Sequence, residues 1–119
     1  SLVSLGEHEG IEVVVRPWGV QDRSLRAPDA IISTLPGGQN DMRFAEPIRR
    51  AAVLFDVAYD PWPSELAAEW LAVGGTVISG LELLLHQAVG QVRVFVSGDP
   101  DVPLPHEGRV VAAMREALA

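Results

Sequence analysis

The sequence contains neither cysteine nor lysine, and these absences narrow the chemistry that the chain can perform. Without cysteine there are no disulfides and no thiolate metal sites, which is typical of a protein in the reducing cytoplasm. All nine basic residues are arginines, against 16 acidic residues, and the formal charge is -7. An acidic chain repels phosphate backbones, and no segment clusters basic with aromatic residues, so we expect no nucleic-acid partner.

Several longer signals are missing as well. The apolar runs fall far short of the roughly 20 residues that a bilayer requires, so we expect no membrane association and no secretion signal. Histidine-based metal and triad motifs and glycine-rich phosphate loops do not occur, and His8, His86 and His106 are scattered. The first residues predict the tail of a helix that stops at Gly6, so we interpret Ser1 as a truncation or a cut.

Strand patterns alternate with helical patterns along the 119 residues, a length that suits one domain. β-branched or apolar runs predict four strands, at residues 11–16, 29–34, 52–58 and 76–79. Helical patterns follow at residues 41–50, from Ser64 to the glycines at 74 and 75, at 81–96, and around 110–118. Pro47 weakens the first of these helices. Short connections between alternating strands and helices predict an α/β fold with a parallel, helix-covered sheet.

Ligands bind such a sheet beyond the carboxyl ends of its strands, where three segments fall: residues 33–37, 56–61 and 79–81. Strands also end in turn residues without any ligand, so position alone leaves both interpretations open. Tyr59, the only tyrosine, either donates a hydrogen bond to a ligand or packs with its hydroxyl satisfied. Asp56 interrupts the same apolar strand, and we expect a buried carboxylate there to brace neighbouring backbone.

The long helix predicted at residues 81–96 has one face that differs from its core. Gly80, Leu83 and Gln87 share this face, because their spacing is i, i+3, i+7. A glycine at the helix entry permits a flat ring to approach the backbone closely. The Gln87 amide can bind a polyol, or it can simply lie in solvent.

The other two faces of this helix have different characters. An apolar stripe is predicted to face the core and consists of Leu81, Leu85, Ala88, Val92 and Phe95. A third, wet face consists of Glu82, His86 and Arg93. On this face we expect His86 to pair with Glu82, four residues earlier.

Three segments resemble motifs of shikimate dehydrogenases. Asp-Val-Ala-Tyr-Asp-Pro at residues 56–61 is similar to the family's Asp-x-x-Tyr-x-Pro at a strand end. Gly-Leu-Glu-Leu-Leu-Leu-His-Gln-Ala at residues 80–88 is similar to Gly-Leu-x-Met-Leu-x-x-Gln-Ala at a helix start. Ile-Ile-Ser-Thr-Leu-Pro-Gly at residues 31–37 is similar to Ile-x-Asn-x-Thr-Pro-x-Gly. The resemblance runs from about residue 29 to residue 98.

The resemblance implies the reduction of 3-dehydroshikimate to shikimate with NADPH, in which the cofactor supplies the hydride. It implies substrate contacts from Tyr59 and Gln87. It implies cofactor contacts from Val57, Gly80, Leu83, Ser33 and Thr34, with Val57 against the nicotinamide. Two of these residues depart from the family: Leu83 stands where methionine is usual, with a similar volume, and Ser33 stands where asparagine is usual.

The resemblance also implies that the catalytic lysine, its aspartate partner, the phosphate loop and the basic 2′-phosphate motif lie upstream. We therefore assign no catalytic residue here and expect the isolated chain to be inactive. Residues 1–119 are interpreted as the truncated carboxyl-terminal part of a dinucleotide-binding domain. Its fold would be a partial Rossmann-type, doubly wound sheet of about four mainly parallel strands, with the first two strands missing. Residues 11–16 would then pair with residues 29–34, or chains would form a homo-oligomer through exposed sheet edges.

Two other interpretations stay open. One is a quinate/shikimate dehydrogenase that uses NAD, because the residues that choose between NAD and NADP lie upstream in the family. The other is a non-catalytic ligand-binding or regulatory module that kept the sheet and lost the catalytic half.

Overall fold

A computed structural model describes residues 1–17, 27–36 and 42–118 of the chain. Its helices and strands are α1 (Leu2–Glu9), β1 (Ala30–Ser33), α2 (Glu46–Ala51), β2 (Val53–Asp56), α3 (Glu65–Leu71), β3 (Val77–Ser79), α4 (Gly80–Ser97) and α5 (Glu107–Leu118). The strands predicted at residues 29–34, 52–58 and 76–79 are confirmed, each with shorter ends.

The three strands form one parallel sheet in the order β1-β2-β3. Their register aligns the side chains in rows across the sheet. The first row is Ile31, Leu54 and Val77, the second is Ile32, Phe55 and Ile78, and the last is Ser33, Asp56 and Ser79. Successive side chains of a strand point to opposite faces, so the first two rows lie on opposite faces of the sheet. The last row marks the carboxyl edge.

Helix α3 covers the face that carries the first row. Leu66, Ala67 and Trp70 of α3 are buried against Leu54, and together they form the core of the molecule. The Trp70 indole N–H donates to the carbonyl oxygen of Ala52 at 3.0 Å, so this buried ring leaves no polar group unsatisfied. The buried side chains of α3 therefore pack as one layer on this face of the sheet.

The opposite face of the sheet carries the second row and is largely open in the described ranges. Ile32 is 66% exposed and Ile78 is 42% exposed. Parallel sheets are normally covered on both faces, so this face is unusual among parallel sheets. The architecture is thus α/β, with a three-stranded parallel sheet and flanking helices.

The strand predicted at residues 11–16 is not formed, so the expected pairing with residues 29–34 is wrong. Gly10 ends α1 in the left-handed conformation, with φ 69° and ψ 26°, and the chain turns back. The Ile11 N–H donates to the Gly6 carbonyl at 2.8 Å, and a Cβ at Gly6 would lie 2.4 Å from Cγ2 of Val13. The β-branched run therefore lies against α1, because β-branched residues favour a strand only where a neighbouring strand packs beside them.

Two predicted helix boundaries are also wrong. Helix α1 passes through Gly6 and stops three residues later, at Glu9. Helix α2 begins at Glu46, so Pro47 lies in its first turn. A backbone N–H in the first turn has no helical acceptor, and proline therefore does not weaken this helix.

An ion pair holds the start of helix α5 against the carboxyl-terminal half of α4. The Arg93 guanidinium donates to both carboxylate oxygens of Glu107, at 2.7 and 2.5 Å, and to the Pro100 carbonyl at 2.9 Å. Arg93, predicted on a wet face, is thus partly covered by α5, and 26% of its side chain stays exposed. Phe95, predicted in the core stripe, is 87% exposed, because within the described residues no element covers the last turn of α4.

No helix in the described ranges is both long enough and apolar enough to cross a membrane.

Candidate functional site

A cleft of about 400 Å³ opens at the carboxyl ends of β1 and β2. Its walls are residues 34–36, which follow β1, and residues 57–60, which follow β2. This is the edge of a parallel sheet at which ligands bind. The volume falls within the range of about 300–1,000 Å³ that small-molecule sites occupy.

Thr34, Val57 and Tyr59 all line this cleft. Tyr59 is 53% exposed, and its hydroxyl has no hydrogen-bond partner among the residues described. Of the two interpretations that the sequence leaves open for Tyr59, the structure fits the one in which the phenol is available to a ligand. Ser33 is buried beside Asp56 in the last row of the sheet, whereas Thr34 is exposed at the cleft wall.

Gly80 joins the start of α4 to the cleft wall. Its N–H donates to the Ala58 carbonyl at 3.1 Å. A Cβ built on Gly80 would lie 1.9 Å from the Val57 carbonyl oxygen, a distance that no side chain can tolerate. The sequence suggested that this glycine makes room for a flat ring, but the group that approaches it here is the backbone of Val57.

Leu83 and Gln87 lie further along α4 on the face of Gly80. Leu83 is half-buried, and Gln87 is exposed. Gln87 is the seventh residue after Gly80 along the helix, an axial distance of about 10.5 Å. Neither side chain lines the cleft between residues 34–36 and 57–60. The structure therefore brings four of the predicted residues together: Thr34, Val57 and Tyr59 line this cleft, and Gly80 packs directly behind its wall.

Asp56 braces the cleft wall, as predicted for a buried carboxylate at this position. It is 2% exposed, and its Oδ1 accepts from the Ala58 N–H at 3.2 Å. Its Oδ2 accepts from the Ser64 hydroxyl at 2.5 Å. The contact with Ser64 is not evident from the sequence, where Ser64 is recognisable only as the start of α3.

The charged residues of α4 lie outside the cleft. His86 lies 4.0 Å from Glu82, which confirms the predicted pair, and Arg115 from α5 also binds Glu82, at 2.6 Å. In the described part of the chain, no group of three or more histidine, aspartate or glutamate side chains is placed to hold a metal ion. The cleft therefore presents hydroxyl, backbone and apolar groups to a ligand, together with the exposed carboxylate of Asp60 in its wall.

The fold and the cleft together define the class of protein. A parallel α/β sheet with an open site at its carboxyl edge is the arrangement in which dinucleotide and other small-ligand sites occur. Comparison with known proteins narrows this class: the chain is distantly similar to shikimate dehydrogenases over part of its length, in sequence and in structure. No family model matches the chain.

Two curated relatives carry the sequence similarity. The NADP-dependent shikimate dehydrogenase of Chlorobaculum tepidum is 30% identical over 89 residues, which are 75% of this chain and 28% of that protein. The NADP-dependent shikimate dehydrogenase of Methanococcus maripaludis is 25% identical over 91 residues, which are 71% of this chain and 32% of that protein. The chain thus spans about a third of the length of the curated relatives that it matches.

Two solved structures carry the structural similarity. The shikimate dehydrogenase of Mycobacterium tuberculosis matches with a TM-score of 0.66 and 36% identity, over 94% of this chain and 41% of that chain. The shikimate 5-dehydrogenase of Mycobacterium fortuitum matches with a TM-score of 0.57 and 38% identity, over 75% of this chain and 30% of that chain. The expected resemblance to shikimate dehydrogenases is therefore confirmed.

Proposed function

We propose that this chain is part of an NADP-dependent shikimate dehydrogenase, and that it forms one wall of the site where NADPH and shikimate meet. The observation that carries the proposal is the contact between the two motif segments. Val57 and Tyr59 of the first segment line the cleft, and Gly80 of the second segment fits directly against the Val57 carbonyl. Two stretches that resemble one family thus meet at a single site.

The residues at the cleft suit a nicotinamide and a polyol. Val57 offers an apolar surface to a flat ring, and the Thr34 and Tyr59 hydroxyls can exchange hydrogen bonds with an amide or with substrate hydroxyls. NADPH, when bound, supplies the hydride. The role of this chain is to hold the ring and the substrate in the geometry that hydride transfer requires.

Gln87 and Leu83 extend the proposed site along α4. The exposed Gln87 amide can both donate and accept, which suits neighbouring hydroxyl groups of a polyol. The half-buried Leu83 lies one turn from Gly80 and would border the cofactor from the helix side. In this proposal Ser33 supports the Thr34 segment from its buried position.

The isolated chain is proposed to be inactive, because it has no lysine to transfer the proton that accompanies the hydride. A non-catalytic ligand-binding module is the second candidate function. The observation that favours it is the lining of the cleft: the cleft is formed, but among the described residues that line it there is no histidine or lysine, and the acidic side chain there, Asp60, is exposed.

A chimeric enzyme tests the proposal. The chain would be joined behind the amino-terminal portion of the Mycobacterium tuberculosis shikimate dehydrogenase that it does not match. We expect shikimate-dependent reduction of NADP⁺ by the chimera and none by the 119-residue chain alone. A chimera that folds, by circular dichroism, but shows no turnover with NADP⁺ or NAD⁺ would contradict the dehydrogenase assignment and favour the module.

Gln87→Ala in this chimera tests the substrate contact. Loss of one polar contact costs about 1–3 kcal/mol, so we expect the KM for shikimate to rise about tenfold. Gln91→Ala is the matched control, because Gln91 is also exposed on α4, one turn further from Gly80. Equal KM values for the two variants would remove Gln87 from the site.

A further inference from the structure

The buried carboxylate of Asp56 contacts the cleft wall from behind. Asp56 is the last residue of β2, and only 2% of it is exposed. The residues that follow it, 57–60, are one wall of the cleft. A charged group withdrawn from water at this depth is tolerated only when hydrogen bonds satisfy it.

Both oxygens of Asp56 are used, and they hold the two ends of one loop. Oδ1 accepts from the Ala58 N–H, at the start of the loop, at 3.2 Å. Oδ2 accepts from the Ser64 hydroxyl, at the end of the loop, at 2.5 Å. The Ser64 oxygen accepts in turn from the Ala67 N–H at 3.0 Å and so caps α3. One carboxylate therefore ties the strand end, the loop and the next helix together.

Solvent has little room to replace these contacts. The void bordered by Ser33, Asp56 and Ser64 has a volume of about 10 Å³. That is at the lower limit for a single water molecule, so protein groups must satisfy the carboxylate. The opposite side of the loop is fixed by Gly80, whose N–H binds the Ala58 carbonyl.

We infer that Asp56 and Ser64 are positioning residues, which hold Val57 and Tyr59 in place at the cleft without touching the ligand themselves. The carboxylate is suited to this task because it accepts from two donors on opposite sides. An asparagine has one accepting and one donating end, so it cannot satisfy both the Ala58 N–H and the Ser64 hydroxyl proton.

The order of the loop backbone in the 119-residue chain tests this inference. NMR relaxation would give order parameters for the amides of residues 57–60 in the original chain, Asp56→Asn and Ser64→Ala. Ser64→Thr is the conservative variant, because threonine keeps the hydroxyl and also serves as a helix cap. Ser97→Ala is the matched control, because the Ser97 hydroxyl also donates, to the Arg93 and Asp99 carbonyls, and accepts from a backbone N–H, that of Asp99, but lies at the end of α4.

We expect order parameters of about 0.85 in the original chain to fall below about 0.6 in Asp56→Asn, and to fall less in Ser64→Ala. Ser64→Thr and Ser97→Ala should keep the original values. Leu54→Ala distinguishes a loss of loop positioning from a general loss of stability, because it destabilises the core without touching the loop contacts. The inference is overturned if folded Asp56→Asn keeps an ordered loop, or if Leu54→Ala disorders residues 57–60 equally. If Asp56→Asn does not fold, the contrast between Ser64→Ala and Ser64→Thr decides.

The part of this inference that concerns a ligand rests on the proposed function. In the chimeric enzyme, we expect Asp56→Asn to raise the KM for shikimate about tenfold, whereas a merely smaller folded fraction would lower kcat and leave KM unchanged. A fall in kcat alone would overturn the positioning role. An inactive parent chimera would instead refute the proposed function, and the order parameters of the chain would still decide whether Asp56 holds the loop.

Discussion

The two faces of the sheet carry nearly the same side chains but have opposite surroundings. The covered face presents the row Ile31, Leu54 and Val77, and the open face presents the row Ile32, Phe55 and Ile78. Leu54 is fully buried, whereas Ile32 is 66% exposed. Hydrophobicity along the strands is therefore almost uniform, and the position of α3 alone decides which face becomes the core of the described molecule.

This difference teaches how the strands should be interpreted. An apolar run without alternation is typical of a strand that is covered on both faces. Among the described residues, Ile32 and Ile78 of the second row are exposed, so this row has the composition of a buried surface but much of the exposure of a free one. The sequence of the strands is therefore typical of a sheet with both faces covered, whereas the described residues cover one face well.

The largest expected effect is at the centre of the covered face. Leu54→Ala should lower the free energy of unfolding by about 2–5 kcal/mol, because it removes buried methyl groups and leaves a cavity beside Trp70. Urea denaturation of the 119-residue chain measures it. The control is Leu71→Ala on α3, where the side chain is about half exposed, and a comparable loss in both variants would contradict a core centred on Leu54.

Alanine substitution of two neighbouring isoleucines in β1 should have a smaller effect on stability, and the two substitutions should differ. Ile31→Ala should lower the free energy of unfolding by about 1–2 kcal/mol, less than for a fully buried isoleucine. Ile32→Ala should cost at least about 1 kcal/mol less, because both substitutions change the strand propensity equally and only Ile31 packs on the core. Equal losses in urea denaturation would mean that the open face is covered in solution.

The smallest expected effect on stability is that of low pH. It arises at the ion pair between α4 and α5, away from both rows of the sheet. The Arg93 guanidinium, helped by the Leu104 N–H, lowers the pKa of Glu107 from 4.5 to about 2. Because the pKa is lower in the folded chain, Glu107 stabilises it above about pH 4.5, and this contribution disappears as the pH falls toward about 2. Glu107→Gln should therefore lose less stability than the original chain over this interval.

Urea denaturation at a series of pH values measures this effect, with Glu116→Gln on the same helix as the control. The difference between Ile31→Ala and Ile32→Ala should not change with pH, because the ion pair joins α4 to α5 and does not touch the sheet. If Glu107→Gln and Glu116→Gln respond to acid alike, the Arg93 pair contributes nothing to stability.

The elements that the sequence predicts best are those with local signals. Ser64 as a helix cap and the apolar strand around Leu54 each follow from the chemistry of a few neighbouring residues. The run at residues 11–16 has an equally strong strand signal and forms no strand. Its outcome depends on a partner strand, and a local pattern carries no information about partners.

The candidate site likewise has contacts that the sequence predicts and contacts that it does not. The resemblance to shikimate dehydrogenases implies that the segment after β2 and the start of α4 belong to one site, and they do meet at the Val57 carbonyl. The contact between Asp56 and Ser64 depends on how the loop between them folds, which spacing does not encode. The exposure of Phe95 likewise depends on what covers the end of α4, and its helical position alone predicts burial.

The fit of Gly80 against Val57 has a consequence for how sequence variation at this position should be interpreted. Any side chain there would collide with a backbone carbonyl whether or not a ligand is present. A relative that has lost the catalytic activity but keeps this fold would still need glycine. Retention of Gly80 across distant sequences would therefore indicate first that the fold is kept. A change at Tyr59 would be more informative about whether a relative still binds its ligand.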